Sequence, residues 1–498
     1  MLIEACLPKP CSRLRRNSSR ARWFAAALQQ PAVSLPSYNV VQKYGGSSVR
    51  DAARMREVAQ IVCRDPAVLP CVVLSAMGKT TNNLLAAGEA ALGCKSTEVE
   101  RLTPLAAIRD LHLSTCAELE LPAADVAEVA ALLQQLEQLL TGVSLMQELT
   151  ARTSANLVSF GERLSTRIFA AFLRSQGVAA TQKDAFEFLV STDVFGDGDI
   201  LPQSYSNAEV ALAEPHGAVA VVTGFLARGV ASGAITTLGR GGSDLTATVL
   251  GRALGVPEVQ VYKDVDGVLT ADPRLVTGAV SVPFLTYDEA TELAYFGAQV
   301  LHPQAMQPAI SALTELHVRV LNSYNLASPG TLITRQRDMS DTLLTSVVRK
   351  ANVTLLDIVS TRSLGQIGFL ARVFEVMSQN QISVDVVATS EVSVSLTLDP
   401  SKLWSKPIVD TELEFLQAAF AKFATVSVSK RNAVISLIGN VQRSNEILER
   451  TFRVFGREAI PVKMISQGAS KVNISLLVDD KHGDAAVRAL HQEFWGGH

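Results

Sequence analysis

A lysine followed by paired glycines at the end of an apolar run can hold phosphate, and the chain has one at Lys43-Tyr-Gly-Gly-Ser-Ser48. The glycines let the backbone approach a polyphosphate, their N–H groups can cradle its oxygens, and Lys43 adds a positive charge. Taken alone, the fragment reads as a glycine turn beside a surface lysine. Ser75-Ala-Met-Gly-Lys-Thr-Thr-Asn82 contains Gly-Lys-Thr, but a Walker loop needs a glycine where Val73 stands. What remains is a pair of hydroxyls at a strand end, Ser75 and Thr81, suited to a small polar substrate, with Lys79 in solvent. Val158-Ser-Phe-Gly-Glu-Arg163 is expected to open a helix. Glu162 there could receive an ammonium group, or simply complement a helix N-terminus.

The most specific piece is Thr236-Thr-Leu-Gly-Arg-Gly-Gly-Ser-Asp244. A strand ends in glycines around Arg240, and Ser243-Asp244 begin a helix. Backbone donors at that helix start suit an anion, and the Arg240 fork fits a carboxylate. A dinucleotide fingerprint is disfavoured, because Asp244 occupies its last position and the loop lies far from the start of the fold. Tyr262-Lys-Asp-Val-Asp-Gly-Val-Leu-Thr-Ala-Asp-Pro-Arg274 follows one strand later, rich in turn residues and acids. It reads as a loop contacting nucleotide or magnesium, or as an acidic surface loop.

These segments must be positioned by alternating strands and helices. A helix is expected from Ala52 to Cys63, and strands at Pro70–Ser75, Ala218–Thr223, Ser232–Leu238 and Glu258–Tyr262. Residues 98–150 are Leu- and Ala-rich at helical spacing, which predicts a helical insertion. Such alternation predicts a mostly parallel sheet covered on both faces, with ligands at the carboxyl ends of its strands. A polar stretch from Thr334 to Asp341 marks the main domain boundary. Beyond it the order strand, helix, strand, strand, helix occurs twice. The first copy starts at Asn352–Val359, with a helix over Gly368–Gln379 and strands at Ile382–Val387 and Val392–Leu398. The second starts at Ala433–Ile438, with a helix over Asn445–Phe455 and strands at Val462–Ile465 and Lys471–Leu477. Each copy is close to a split β-α-β unit, and a duplicated pair behind a catalytic domain suits sensing.

At 498 residues the chain is too long for one core. Apolar residues make up 48% and charged residues 19%, enough for packed α/β domains. A net charge of -3 gives no basic field for nucleic acid or an anionic membrane, and no apolar run approaches a membrane span. The six cysteines lack paired spacing and the histidines are scattered, so reduced thiols without a structural metal are expected. The first 38 residues are Arg- and Ser-rich with Glu4 as their only acid, the profile of an organelle transit peptide.

In their order, these segments together with Gly297-Ala-Gln-Val-Leu-His-Pro303 resemble the aspartate kinase family of the amino-acid kinase superfamily, from about residue 40 to the C-terminus. The resemblance implies an α/β amino-acid kinase fold over 39–340, a central mostly parallel sheet sandwiched by helices. Two ferredoxin-like ACT domains are implied over 345–428 and 429–498, with interleaving open. It implies ATP contact by Lys43, Gly46, Ser47, Lys263, Asp264 and Arg274, with Mg²⁺ as companion and no protein metal ligand assigned. Aspartate contact falls to Ser75, Thr81, Glu162, Phe225, Arg240, Ser243 and Asp244, of which Arg240 and Asp244 join Lys43 as catalytic. Phe369, Leu370, Val384, Asp385, Ser390 and Glu391 match the effector stretch of lysine-sensitive members, so L-lysine is the implied inhibitor and a homodimer or homotetramer through ACT pairing the implied assembly. Three positions depart from bacterial members, Lys263, Leu269 and Gln299. Plant-type members share such choices, which implies a plastid address in the chloroplast, with mitochondrion the alternative. The implied reaction moves the ATP γ-phosphate to the β-carboxylate of L-aspartate, giving 4-phospho-L-aspartate, the first step towards lysine, threonine, methionine and isoleucine. A carboxylate with a solution pKa of about 4 is already ionised, so no general base is needed. Rival readings are a kinase of acetylglutamate, glutamate or uridylate, and a catalytically silent amino-acid sensor.

Overall fold

The computed structural model describes residues 38–213, 217–298, 301–360, 367–380, 382–398, 410–468 and 470–496. The expected transit peptide and Gln299 lie outside these, Tyr38 excepted. The catalytic half contributes β1 (Val40–Tyr44), α1 (Ala52–Val62), β2 (Pro70–Leu74), α2 (Thr80–Leu92), α3 (Thr103–Glu118), α4 (Ala123–Met146), α5 (Ala151–Ser175) and β3 (Ala180–Lys183). It continues with β4 (Val190–Ser191), α6 (Gln203–Leu212), β5 (Val219–Thr223), β6 (Leu226–Gly229), β7 (Ile235–Thr237), α7 (Gly242–Ala253) and β8 (Glu258–Lys263). It ends with β9 (Phe284–Thr286), α8 (Tyr287–Tyr295), α9 (Pro303–Ile310), β10 (His317–Asn322) and β11 (Thr331–Thr334).

Eight strands form the central sheet in the order β3-β5-β2-β1-β8-β10-β11-β9, with every pairing parallel except β10 to β11. β1, β2 and β5 are buried at every position, Gln42 and Lys43 of β1 included, as a sheet covered on both faces requires. One apolar core packs α1 to α5 on one face, and a second packs α6 to α9 on the other. Because β1, β2, β5, β8 and β10 run in one direction, their carboxyl ends share one edge. Lys43, Ser75, Gly224, Lys263 and Asn322 all fall along it. The helical insertion is α3 and α4.

Glu162 departs from expectation in its local setting. Thr150 caps α5 by accepting the Thr153 N–H at 3.2 Å, so Glu162 lies well inside the helix rather than in its first turn. The helix-terminus reading of that acid therefore fails.

The remaining elements are β12 (Leu344–Ser360), α10 (Phe369–Gln379), β13 (Val387–Thr389), β14 (Ser393–Leu398), α11 (Asp410–Phe420), β15 (Ala424–Gly439), α12 (Ser444–Arg457), β16 (Met464–Ser466), β17 (Asn473–Asp479) and α13 (Asp480–Trp495). They build one sheet ordered β13-β14-β12-β15-β17-β16. The long strands β12 and β15 serve both halves. Leu344–Lys350 pairs with Val434–Gly439 beside β17, and Val353–Ser360 pairs with Ala424–Asn432 beside β14. The strand expected at Ile382–Val387 overlaps β13 at Val387 alone; before it, Asp385 and Val386 both face Thr397, whose carbonyl takes the Asp385 N–H and whose hydroxyl takes the Val386 N–H, each at 2.9 Å. Alternation along β12 turns Val347 to the helices of this half and Val348 to the catalytic core.

Candidate active site

Lys43 ends β1, and Asp244 opens α7 above it. Their Nζ and Oδ1 atoms are 2.6 Å apart, with side chains only 9% and 8% exposed. Lys263, at the end of the adjacent strand β8, places its Nζ 3.9 Å from the other Asp244 oxygen. Burial works against the Asp244 charge, but Lys43 and Lys263 outweigh it and hold the carboxyl below its ordinary pKa. Burial lowers the Lys263 pKa, Asp244 opposes that shift, and Lys43 adds to it. Two cations are thus gathered on one carboxylate at neighbouring strand ends.

Beside them, Ser75 donates from Oγ to Ser243 Oγ at 3.0 Å, joining the end of β2 to the first turn of α7. A Cβ at Gly224 would come within 2.7 Å of the Ser243 side chain, so only glycine lets these segments meet. Glu162 reaches up from α5, and its Oε1 accepts the Ala76 N–H at 3.1 Å. Oε2 is buried and has no hydrogen-bond partner. Burial pushes the Glu162 pKa up to about 8, although the Ala76 N–H and Lys43 pull the other way. A buried carboxylate oxygen without a donor is costly, and a ligand ammonium would satisfy it.

The glycine loop is built for close approach. Gly239 and Gly241 have φ of 66° and 72°, and Gly241 caps α7 without any side-chain bond to the first N–H groups. The Gly242 N–H is taken by the Gly239 carbonyl at 3.1 Å, which closes the turn at the helix start. Phe225 holds a left-handed φ of 70°, with its N–H donated to Thr246 Oγ1 at 3.0 Å. At Gly46, a Cβ would sit 2.7 Å from the Ala76 carbonyl oxygen, and Ser47 offers its carbonyl to the Tyr324 hydroxyl at 2.8 Å. Thr81 is half-buried in the first turn of α2, and Lys79 is exposed, as expected.

Three of the expected residues stand apart from this cluster. Arg240 and Asp264 are exposed at the rim. The Arg274 guanidinium is 82% exposed and committed to Asp272, with no bond to the lysine cluster among the described residues. The sequence reading missed His302, against whose Cβ Gly241 packs so closely that any Cβ there would lie at 2.5 Å. It also missed Ser323, which binds both Ser48 and Arg54 across the β10 end. His302 lies in the Gly297–Pro303 string but was given no role there, and Ser323 carries no sequence signal.

In the regulatory half, the expected effector residues separate. Phe369 packs in an apolar core with Val384 against it, while Leu370, Ser390 and Glu391 are exposed. Asp385 receives Lys350 Nζ on Oδ2 at 2.8 Å and the Tyr295 hydroxyl of α8 on Oδ1 at 3.0 Å.

Comparison with known proteins bears on this geometry. The amino acid kinase family profile matches residues 39–322, and an ACT domain profile matches 435–494. Aspartokinase 1, chloroplastic, of Arabidopsis thaliana is 55% identical over 459 residues, covering 91% of this chain and 80% of the relative. Lysine-sensitive aspartokinase 3 of Escherichia coli is 34% identical over 467 residues, covering 92% and 99%. The structure of E. coli aspartokinase III with aspartate and ADP superposes with a TM-score of 0.77 at 33% identity, covering 92% of this chain and 99% of that one. The same enzyme with lysine and aspartate gives 0.73. With its kinase fold, its ACT-type second sheet and these relatives across nearly its whole described length, the chain belongs to the aspartokinases, ATP-dependent kinases acting on aspartate.

Proposed function

We propose that the chain transfers the γ-phosphate of ATP to the β-carboxylate of L-aspartate, giving 4-phospho-L-aspartate, under feedback control by L-lysine. The observation that carries this reading is the placing of Lys43 and Lys263 around Asp244, beside Ser75, Ser243 and the orphaned Glu162 oxygen. The reaction must bring two anions together, so its main demand is charge neutralisation in a site that needs no reorganisation. Lys43 and Lys263 meet the phosphates, with the Gly46-Ser47 backbone beneath them, and Asp244 fixes both ammonium groups. Glu162 takes the α-ammonium of aspartate, and Arg240, on its exposed loop, folds onto the α-carboxylate. Ser75, Thr81, Ser243 and Phe225 line the space between, which holds the β-carboxylate in line with the γ-phosphorus.

Among the described residues, no group of three His, Cys, Asp or Glu side chains could hold a metal ion. Mg²⁺ binds through substrate phosphates and water with one or two carboxylates. Asp264, exposed at the end of β8, is the protein group that would meet it, and the ion would supply neutralisation of phosphate charge. The loop from Asp264 to Arg274 serves the nucleotide.

Lysine sensitivity rests on Asp385, with Glu391, Ser390, Phe369, Leu370 and Val384 nearby in sequence. Exposed Leu370 and Phe374 on α10 support completion of that site by a second copy, hence a homodimer or homotetramer. The Arg- and Ser-rich start supports an organelle address, and the chloroplastic relatives support a plastid over a mitochondrion. ADP release measured with aspartate and magnesium, with and without lysine, tests the whole reading. Turnover that requires aspartate and falls as lysine is added supports it. Turnover with glutamate or acetylglutamate in place of aspartate, or none at all, removes it.

A further inference from the structure

Between β8 and β9 the chain runs out as a loop over residues 264–283, and its tip packs on the C-terminal half. At its base, Thr331 Oγ1 takes the Val268 N–H at 2.8 Å and donates to the Val282 carbonyl at 2.6 Å, while the Val282 N–H bonds Val268 at 2.7 Å. Beyond that clasp the tip belongs to the regulatory half. Ala271 is buried in one apolar core with Leu344, Val347, Ile435, Val487 and Leu490, and Leu275, Val276 and Ala279 pack onto it.

Polar contacts then fix the tip. The Ser346 hydroxyl is 3.0 Å from both the Leu269 and Thr270 carbonyls, and the Val347 N–H reaches the Thr270 carbonyl at 2.8 Å. Thr270 Oγ1 accepts the Val280 N–H at 3.1 Å and lies 2.9 Å from His491 Nε2 of α13, in a buried contact. Burial lowers the His491 pKa and so favours the neutral imidazole, and the ring stacks on Trp495 at 4.8 Å. The Arg488 Nε–H holds the Leu275 carbonyl at 3.1 Å. Between loop and regulatory sheet lies a cavity of about 330 Å³, walled by Val268, Leu269 and Arg274 on one side and by Val347, Val348 and Val487 on the other.

We infer that the regulatory half positions the nucleotide-side loop through Ser346 and His491, which hold Thr270, so that this half of the protein sets the affinity for ATP and leaves the affinity for aspartate alone. The inference rests on the reading that the Asp264–Arg274 loop serves the nucleotide. The aspartate-side groups Glu162, Ser75 and Ser243 hang from α5, β2 and α7, none of which this clasp touches. Ser346, Thr270 and His491 are positioning residues, since they act through the loop rather than on the substrate.

Steady-state kinetics of the full chain separate the outcomes. Thr270→Val keeps the branched shape and removes the hydroxyl, and Ser346→Ala removes both bonds to the loop carbonyls. Each is expected to raise the KM for ATP about three- to tenfold, with the KM for aspartate and kcat within about twofold. Thr270→Ser should restore the KM for ATP. Asp264→Asn is the control for the loop's own role, and it should raise the same constant. If it does so while Thr270→Val and Ser346→Ala do not, the positioning inference is overturned and the loop reading stands. If Asp264→Asn leaves the KM for ATP unchanged, both fall. A parallel rise in both Michaelis constants marks general loosening and also overturns the inference.

Discussion

Two buried lysine–aspartate pairs, one in each half of the chain, are built alike and finished differently. Lys43 and Asp244 sit 2.6 Å apart with side chains 9% and 8% exposed, and Lys350 and Asp385 sit 2.8 Å apart at 7% and 8%. In the catalytic half a second cation, Lys263, shares the carboxylate, which opens a helix, α7, whose start is capped by no side chain. That arrangement has positive charge to spare for an anion. In the regulatory half the second partner of Asp385 is the neutral Tyr295 hydroxyl, and the Lys350 ammonium lies 5.0 Å from the centre of that tyrosine ring. That pair is closed. The first is poised to receive a ligand, whereas the second must be opened before a cationic effector can use it.

The sharpest way to break this contrast is at Lys43. Lys43→Met should lower kcat about 10²- to 10³-fold, the scale seen when one preorganised electrostatic group is removed from a transition state. Circular dichroism should show the fold retained. Turnover within a few-fold of wild type would remove Lys43 from the chemistry, and with it the claim that the catalytic pair is open.

Next in size comes Glu162. With its pKa pushed up to about 8, the free protein holds a proton there at neutral pH that must leave when an ammonium binds. The kcat/KM for aspartate should therefore rise with pH through about 8 and level off above it, and Glu162→Gln should lose about tenfold or more along with the pH step. Stability gives an independent check. A carboxyl whose folded pKa is raised binds its proton more tightly when folded, so its contribution declines as pH rises from about 4.5 through about 8. The Tm advantage of Glu162→Gln without ligand should accordingly be larger at pH 8.5 than at pH 5.5, by the sign of that linkage. An equal advantage at both pH values would mean that Glu162 is already ionised.

Much of this was legible in sequence because the relevant signals are local. The β2 and β5 runs are apolar throughout and could only be strands buried on both faces, and the glycines before Asp244 fix a loop that opens a helix. Glu162 was found but misplaced, since its helix start is set by the Thr150 cap rather than by any residue near it. The closure of Asp385 could not be read. Lys350 and Tyr295 come from a different strand and a different domain, and neither belongs to a motif. The docking of the loop tip onto the regulatory core was hidden for the same reason, being a matter of where β12 and α13 arrive in space.

The regulatory pair yields the smaller predictions. Asp385→Asn should abolish lysine inhibition if the effector ammonium goes there, leaving basal turnover to be read without it. Tyr295→Phe tests the closure itself, because it keeps the ring near Lys350 and removes the hydroxyl that Asp385 accepts. The carboxylate then has one partner fewer to give up when the effector arrives, and a single hydrogen bond of this kind is worth about 1 to 2 kcal/mol. Effector binding is linked to opening, so that difference should appear as half-inhibition at a lysine concentration several-fold lower, with kcat in the absence of lysine near that of wild type. Half-inhibition at an unchanged concentration would mean that Asp385 keeps its internal partners while the effector is bound. The regulatory pair would then be a fixed strut between β12 and α8, and its likeness to the catalytic pair would be one of geometry alone.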